Sequence, residues 1–124
     1  MQIISHKQIA TLEAYMSEQF IQRLLGFLRD KCDLSNPYEA GAAEKNRLEL
    51  EPRTRNLVKR AKELGMESEL AIANFAIIGL CYSFNFNQLA SVQTMFANIG
   101  RSPDQNMGIV MERLVIAERN KHVR

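Results

Sequence analysis

The side chains able to do chemistry are few and scattered. His6 and His122 are the only histidines and stand near opposite ends of the chain. Neither has a cysteine, serine or carboxylate beside it in a catalytic arrangement, so a solvated imidazole is the expected role for both. Cys32 and Cys81 form no CxxC pair and share no zinc or haem spacing with the histidines. Both fall in apolar helical stretches, where cysteine packs as a small hydrophobe. Free thiols are expected, and a Cys32–Cys81 disulfide stays open as the alternative. Glu63, Glu67 and Glu69 flank a turn, so paired-carboxylate chemistry would need a convergence that their spacing does not supply. There is no glycine-rich phosphate loop and no GxSxG elbow. The residues therefore predict a protein that is not an enzyme and needs no metal or cofactor.

Two constellations point to binding instead. Arg53, Arg55, Lys59, Arg60 and Lys62 lie on one predicted helix, with positions 55, 59 and 62 on a common face. That face reads three ways: a solvated surface with i,i+4 pairing such as Lys59 to Glu63, a docking face for a protein, or a phosphate-binding face. Nucleic acid comes last, because no aromatic platform, recognition-helix pattern or RNP-type motif accompanies the charges. Tyr82, Phe84 and Phe86 alternate with Asn85 and Asn87 after the most apolar segment. They are either core packing or an exposed aromatic lip, where rings supply contact area at small entropic cost. Arg53, Arg55, Lys59, Lys62, Tyr82, Phe84 and Phe86 are thus the candidate partner-binding residues. The six methionines serve either as plastic core filler or as part of an adaptable groove.

The elements that must position these groups are helical. Ile4 to Ile9 has the form of a helix start, with Ser5 as cap, Gln8 reaching back and Ile4 stapling onto Ile9. Ile9, Leu12, Met16, Phe20, Leu24, Phe27 and Leu28 then recur at three- and four-residue steps, which places them on one stripe of an amphipathic helix of about six turns. Asn36-Pro37-Tyr38-Glu39 repeats the start signal, and Pro52 predicts a break near Glu51 followed by a helix to Leu64. Gly65 reads as a helix stop, and Ser68 as the cap of a helix over about 68–83 that is apolar all round. Such a helix needs cover on several sides, from its own chain or from a second copy. A shorter helix through Leu89, Val92, Met95, Phe96 and Ile99 is expected to end at Gly100. Ser102-Pro103-Asp104-Gln105 opens the last helix, with Met107, Val110, Met111, Leu114 and Val115 as its buried stripe and 119–124 as a frayed tail.

The chain has 124 residues, 46% of them hydrophobic and 24% charged, with a formal charge of +2. That is the size and balance of one globular domain, 1–124, able to bury roughly two-thirds of its unfolded surface. The fold expected is an all-α, compact bundle of about five helices around the central apolar one. The segment from Leu70 to Phe84, roughly fifteen residues, is too short to cross a bilayer. The N-terminus lacks the basic start, apolar run and cleavage site of a secretory signal, which predicts a cytoplasmic protein.

Arg60-Ala61-Lys62-Glu63-Leu64-Gly65-Met66-Glu67-Ser68-Glu69, then an apolar helix, then Phe84-Asn85-Phe86-Asn87, resembles small helical proteins encoded in type VI secretion effector gene clusters, beside PAAR, Rhs or VgrG components. Ile4 and Gln8 ahead of a helix holding Phe20, Arg23, Leu28 and Arg29 agree with the same family. The resemblance implies a protein partner, a secreted effector toxin, that the chain holds or delivers as an accessory factor. Neutralising that toxin as an immunity protein is the alternative it leaves open.

Overall fold

The local stop and start signals set where the helices lie. Gly65 takes φ +93, a backbone region open to glycine at no steric cost. Its N–H donates to the Lys62 carbonyl and that of Met66 to the Ala61 carbonyl, the paired bonds of a Schellman C-cap. Three residues on, the Ser68 hydroxyl accepts from the Ala71 N–H at 3.1 Å. At the last helix, the Gln105 N–H donates to Ser102 Oγ while the Gln105 side chain accepts from the Ser102 N–H, so this capping box closes in both directions.

The computed structural model describes the backbone of residues 6–122 and the side chains of 7–8 and 11–117. Among the described residues five α-helices follow one another: α1 His6–Lys31, α2 Ala42–Glu63, α3 Glu69–Cys81, α4 Ala90–Phe96 and α5 Pro103–His122, with a 3-10 turn at Phe86–Gln88 between α3 and α4. No strand occurs among the described residues. The all-α bundle expected from the residue pattern is the fold that forms. The cap proposed at Ser5 and the Ile4–Ile9 staple lie outside the described residues.

Long-range bonds give the directions of the helices. Arg23 of α1 meets Glu69 at the start of α3, and the Cys81 thiol at the end of α3 donates to the Asp33 carbonyl just past α1, so α1 and α3 run parallel. Glu18 pairs with Arg55 and Ser17 Oγ accepts from Lys62 near the end of α2, while Asn46 near its start reaches the Leu34 carbonyl. The second helix is therefore antiparallel to both. The Asp104 carboxylate accepts from the N–H groups of Glu67 and Ser68 at 2.9 and 3.0 Å, which seats the start of α5 beside the start of α3.

The all-round apolar α3 is the centre, and its own chain covers it. Ala71, Ile72, Phe75, Ala76, Ile78, Gly79 and Leu80 are buried, packed on by α2, α5 and α1. At Gly79 the approach is closest: a Cβ there would run into Leu57 Cδ2 and stand 2.8 Å from Leu57 Cδ1. An added Cβ would force the buried Leu57 side chain to shift at this crossing.

Several expectations are corrected by the structure. No helix starts at Pro37. Asn36 adopts φ +39 and is buried; its Oδ1 accepts from the Tyr38 N–H at 3.2 Å within the turn, while its Nδ2 donates to the Leu80 carbonyl at the end of α3. Residues 37–41 are turns, and α2 begins at Ala42. The break ascribed to Pro52 falls at Glu49 (φ −127, ψ 31) instead of near Glu51. A proline lacks the N–H that would bond back four residues and crowds that turn, so the distortion appears on its N-terminal side. The helix read through Ile99 ends at Phe96. Only Met107 and Val110 of the α5 stripe are fully buried, and Val115 is exposed. Helical backbone continues to His122, into the stretch read above as a tail. The α1 stripe is buried at Phe20, Leu24 and Leu28, joined by Ile21 and Leu25, whereas Leu12, Met16 and Phe27 are exposed.

Candidate protein-binding surfaces

The exposed apolar half of α1 follows from the lengths of its neighbours. At 26 residues and 1.5 Å per residue, α1 is about 39 Å long. Ser17 and Glu18 meet the last turns of α2, and Arg23 meets the first residue of α3. Nothing of α2 or α3 extends further, so residues 6–16 overhang the end of the bundle by about 16 Å. Every residue from 11 to 16 is exposed. Leu12, Tyr15 and Met16 keep 53%, 61% and 57% of their surface in water, at the i, i+3, i+4 spacing that clusters side chains on one helix face.

One charged network sits at the base of this segment. Arg55 forks onto Glu18, donating from Nη1 at 2.8 Å and from Nη2 at 2.6 Å, and Nη2 also reaches Glu51 at 2.9 Å. The bonds from Arg55, then that from Gln22, hold the Glu18 carboxyl at about 2, well below the usual carboxylate range. The same bonds, from Glu18 first and then Glu51, push the Arg55 guanidinium up. A bidentate guanidinium–carboxylate fork fixes direction as well as distance.

The remaining basic candidates divide. Lys59 and Lys62 are exposed and, with Arg55, border a shallow groove floored by Ile21 and Val58 between α1 and α2. Arg53 lies elsewhere. Its Nε donates to Asn46 Oδ1 at 3.1 Å and its guanidinium sits 4.0 Å from the centre of the Phe84 ring. Arg60 lies over the same ring at 4.4 Å and donates to the Phe84 carbonyl. Burial, then the Arg53 charge, lowers the Arg60 pKa. With Arg55 neutralised and Arg53 laid over a ring, the face shared by positions 55, 59 and 62 keeps two outward lysines, too few to track a phosphate backbone by themselves.

The three aromatic candidates also part company. Phe86 is 3% exposed, its ring 4.7 Å from that of Phe75 in the core. Phe84 is half-buried under the two arginines, and its N–H donates to Glu39 Oε2 at 3.1 Å. Tyr82 is half-buried and stacks on exposed Tyr38, ring centres 5.2 Å apart. What these residues build together is a clamp on the 82–88 segment, with a small aromatic surface at Tyr38 and Tyr82.

Asn46 is the residue that the sequence pattern missed. It is 1% exposed, and its Nδ2 donates to the carbonyls of Leu34 at 3.0 Å and Leu80 at 2.8 Å. With the Arg53 bond to Oδ1, it ties the α1–α2 connection, α2 and the end of α3 to one side chain. No signal within the sequence distinguishes it from a solvated helix asparagine, because its partners lie 12 and 34 residues away.

The cysteines are both free and partly buried. Burial first, then the neighbouring Cys32 and Asp33, pushes the Cys81 thiol up to about 11, and burial raises that of Cys32. Both thiols are therefore protonated and sluggish near neutral pH. Among the described residues no three histidine, cysteine or carboxylate side chains converge on a metal-sized site, and no helix is long and apolar enough to cross a membrane. No protein-family model, curated protein or solved structure matches this chain.

Proposed function

We propose that this chain is a non-enzymatic binding protein that holds a toxin effector of a type VI secretion system through the overhanging half of α1. One observation carries the reading: Leu12, Tyr15 and Met16 stand in water on a helix segment whose described residues from 11 to 16 are all exposed. An isolated helix of about three turns is marginal in water, and three large apolar groups on its surface add no stability to the free protein. Both costs are offset when the segment docks into an apolar groove, the helix-in-groove mode of recognition. The fork at Glu18, Arg55 and Glu51 sets its direction beforehand, which reduces the ordering cost of docking.

The effector as partner rests on the resemblance carried by Arg60 to Glu69 and Phe84 to Asn87. In this reading the complex forms in the cytoplasm, before the effector is loaded for export. Co-expression with the effector encoded beside this chain, followed by size-exclusion chromatography, tests it. The two proteins are expected to co-elute, and Leu12→Glu with Met16→Glu to separate them while leaving the helical circular dichroism of the free chain unchanged. Separate elution of the unmodified pair overturns the proposal. A complex in which the toxin is silenced would make the chain an antidote instead of a carrier.

A further inference from the structure

Away from these surfaces, α3, α4 and α5 flank an open cleft of about 280 Å³ walled by Ile78, Phe86, Val92, Met95, Val110 and Leu114. It shares no lining residue with the α1 overhang or with the Lys59 and Lys62 groove. Pockets that bury a drug-sized ligand run from roughly 300 to 1,000 Å³, and this one, at the small end, has room for a few apolar side chains of a docked segment. Leu89, at its rim, is itself exposed. Met95 in the wall is unbranched and repacks readily around an incoming group.

The mouth carries one cation. Arg113 lines the cleft, and its Nη1 donates to the Met95 sulfur at 3.5 Å. No carboxylate among the described residues forms an ion pair with it. A thioether is a weak acceptor, so the guanidinium keeps its fork for a planar anion, and a carboxylate fits it in bidentate fashion. The occupant must therefore be apolar along one side and negatively charged at one edge.

We propose that this cleft receives an amphipathic helix of a protein partner, with apolar side chains at i and i+3 or i+4 entering between α4 and α5 and an Asp or Glu pairing with Arg113. The site is independent of the α1 overhang, so the chain has two recognition surfaces and can bridge two segments of one partner or two different proteins.

A display library of helical peptides of about four turns, with apolar and charged positions randomised, selected against the full chain, tests this. The best peptide is then measured by fluorescence anisotropy. Enriched peptides are expected to carry an acidic residue at a fixed offset from two apolar ones. Arg113→Glu should weaken the best of them at least about tenfold, and exchanging the peptide's acid for lysine should restore binding to that variant. Ser91→Trp, at an exposed rim position, should block the cleft. Leu12→Glu with Met16→Glu should change nothing, which separates this site from the effector-holding surface. The proposal is overturned by no enrichment, by enriched peptides without a carboxylate, or by binding indifferent to both Arg113→Glu and Ser91→Trp. Dodecanoate filling the cleft with the same Arg113 dependence, while displacing no peptide, also overturns it.

Discussion

Replacing Asn46 tests whether one buried amide joins three parts of the chain. In Asn46→Ala the carbonyl of Leu34 loses its side-chain donor, that of Leu80 keeps only Asn36, and Arg53 Nε loses its acceptor. A neutral hydrogen bond contributes about 0.5–1.5 kcal/mol net, and leaving a buried group unpaired costs about 1–3. Two amide bonds and a half-buried guanidinium that partly recovers water sum to about 3 kcal/mol. A domain of this size holds on the order of 5–15 kcal/mol in total, so the loss is a large fraction and lowers Tm by about 10 °C. Urea titration followed by circular dichroism reads the free energy directly. Asn46→Asp is the sharper variant. It preserves the shape and the acceptor for Arg53 but turns a carboxylate oxygen toward two carbonyl oxygens, so it should cost at least as much as Ala. A loss below about 1 kcal/mol for Ala, within reach of an ordinary surface change, or a wild-type Asn46→Asp, would refute the role given to this side chain.

Three further outcomes follow from local geometry. Gly79→Ala should destabilise by about 1–3 kcal/mol, since its Cβ collides with fully buried Leu57; an unchanged urea midpoint would contradict the α2–α3 contact. Asn106 is 1% exposed and its amide atoms have no hydrogen-bond partner among the described residues, so Asn106→Leu should stabilise by about 1 kcal/mol or more, read in the same titration. The Glu18 carboxyl titrates at about 2 against an ordinary 4.5. A depressed folded-state pKa means that its contribution is complete above pH 4.5 and is lost as pH falls toward 2. Glu18→Gln should therefore flatten that part of the acid limb, and stability curves that stay parallel between the two forms would contradict the fork with Arg55.

The parts of this fold legible in the sequence are those decided within a few residues. The Ser102–Gln105 box, the Ser68 cap and the Gly65 stop each complete their bonds inside one turn of chain, so residue type alone announces them. Asn36 carries an equally good start signal. Its Oδ1 does accept locally, from the Tyr38 N–H, but its Nδ2 is held by a carbonyl 44 residues away, and no local pattern weighs that partner. Residue spacing gives the apolar stripe of α1, but which half of it is covered depends on where α2 stops and α3 starts. Sequence spacing gives the face of a helix, not the reach of its neighbours. Among the partner-binding candidates, Lys59 and Lys62 face outward as their spacing suggests, while Phe86 and Phe84 close onto the core and the two arginines. Arg113 and its cleft bring together residues from three helices and left no mark in any single window.

Hydrogen exchange, measured on the free chain and on the complex proposed with a co-expressed effector, bears most directly on the account as a whole. In the free chain the amides of residues 7–16 should exchange orders of magnitude faster than those of 20–28, because only the latter are anchored by tertiary packing. In the complex the 7–16 segment should become protected while the core changes little. Strong protection of that segment in the free chain, or a complex whose protection falls only elsewhere, would contradict a docking role for the α1 overhang.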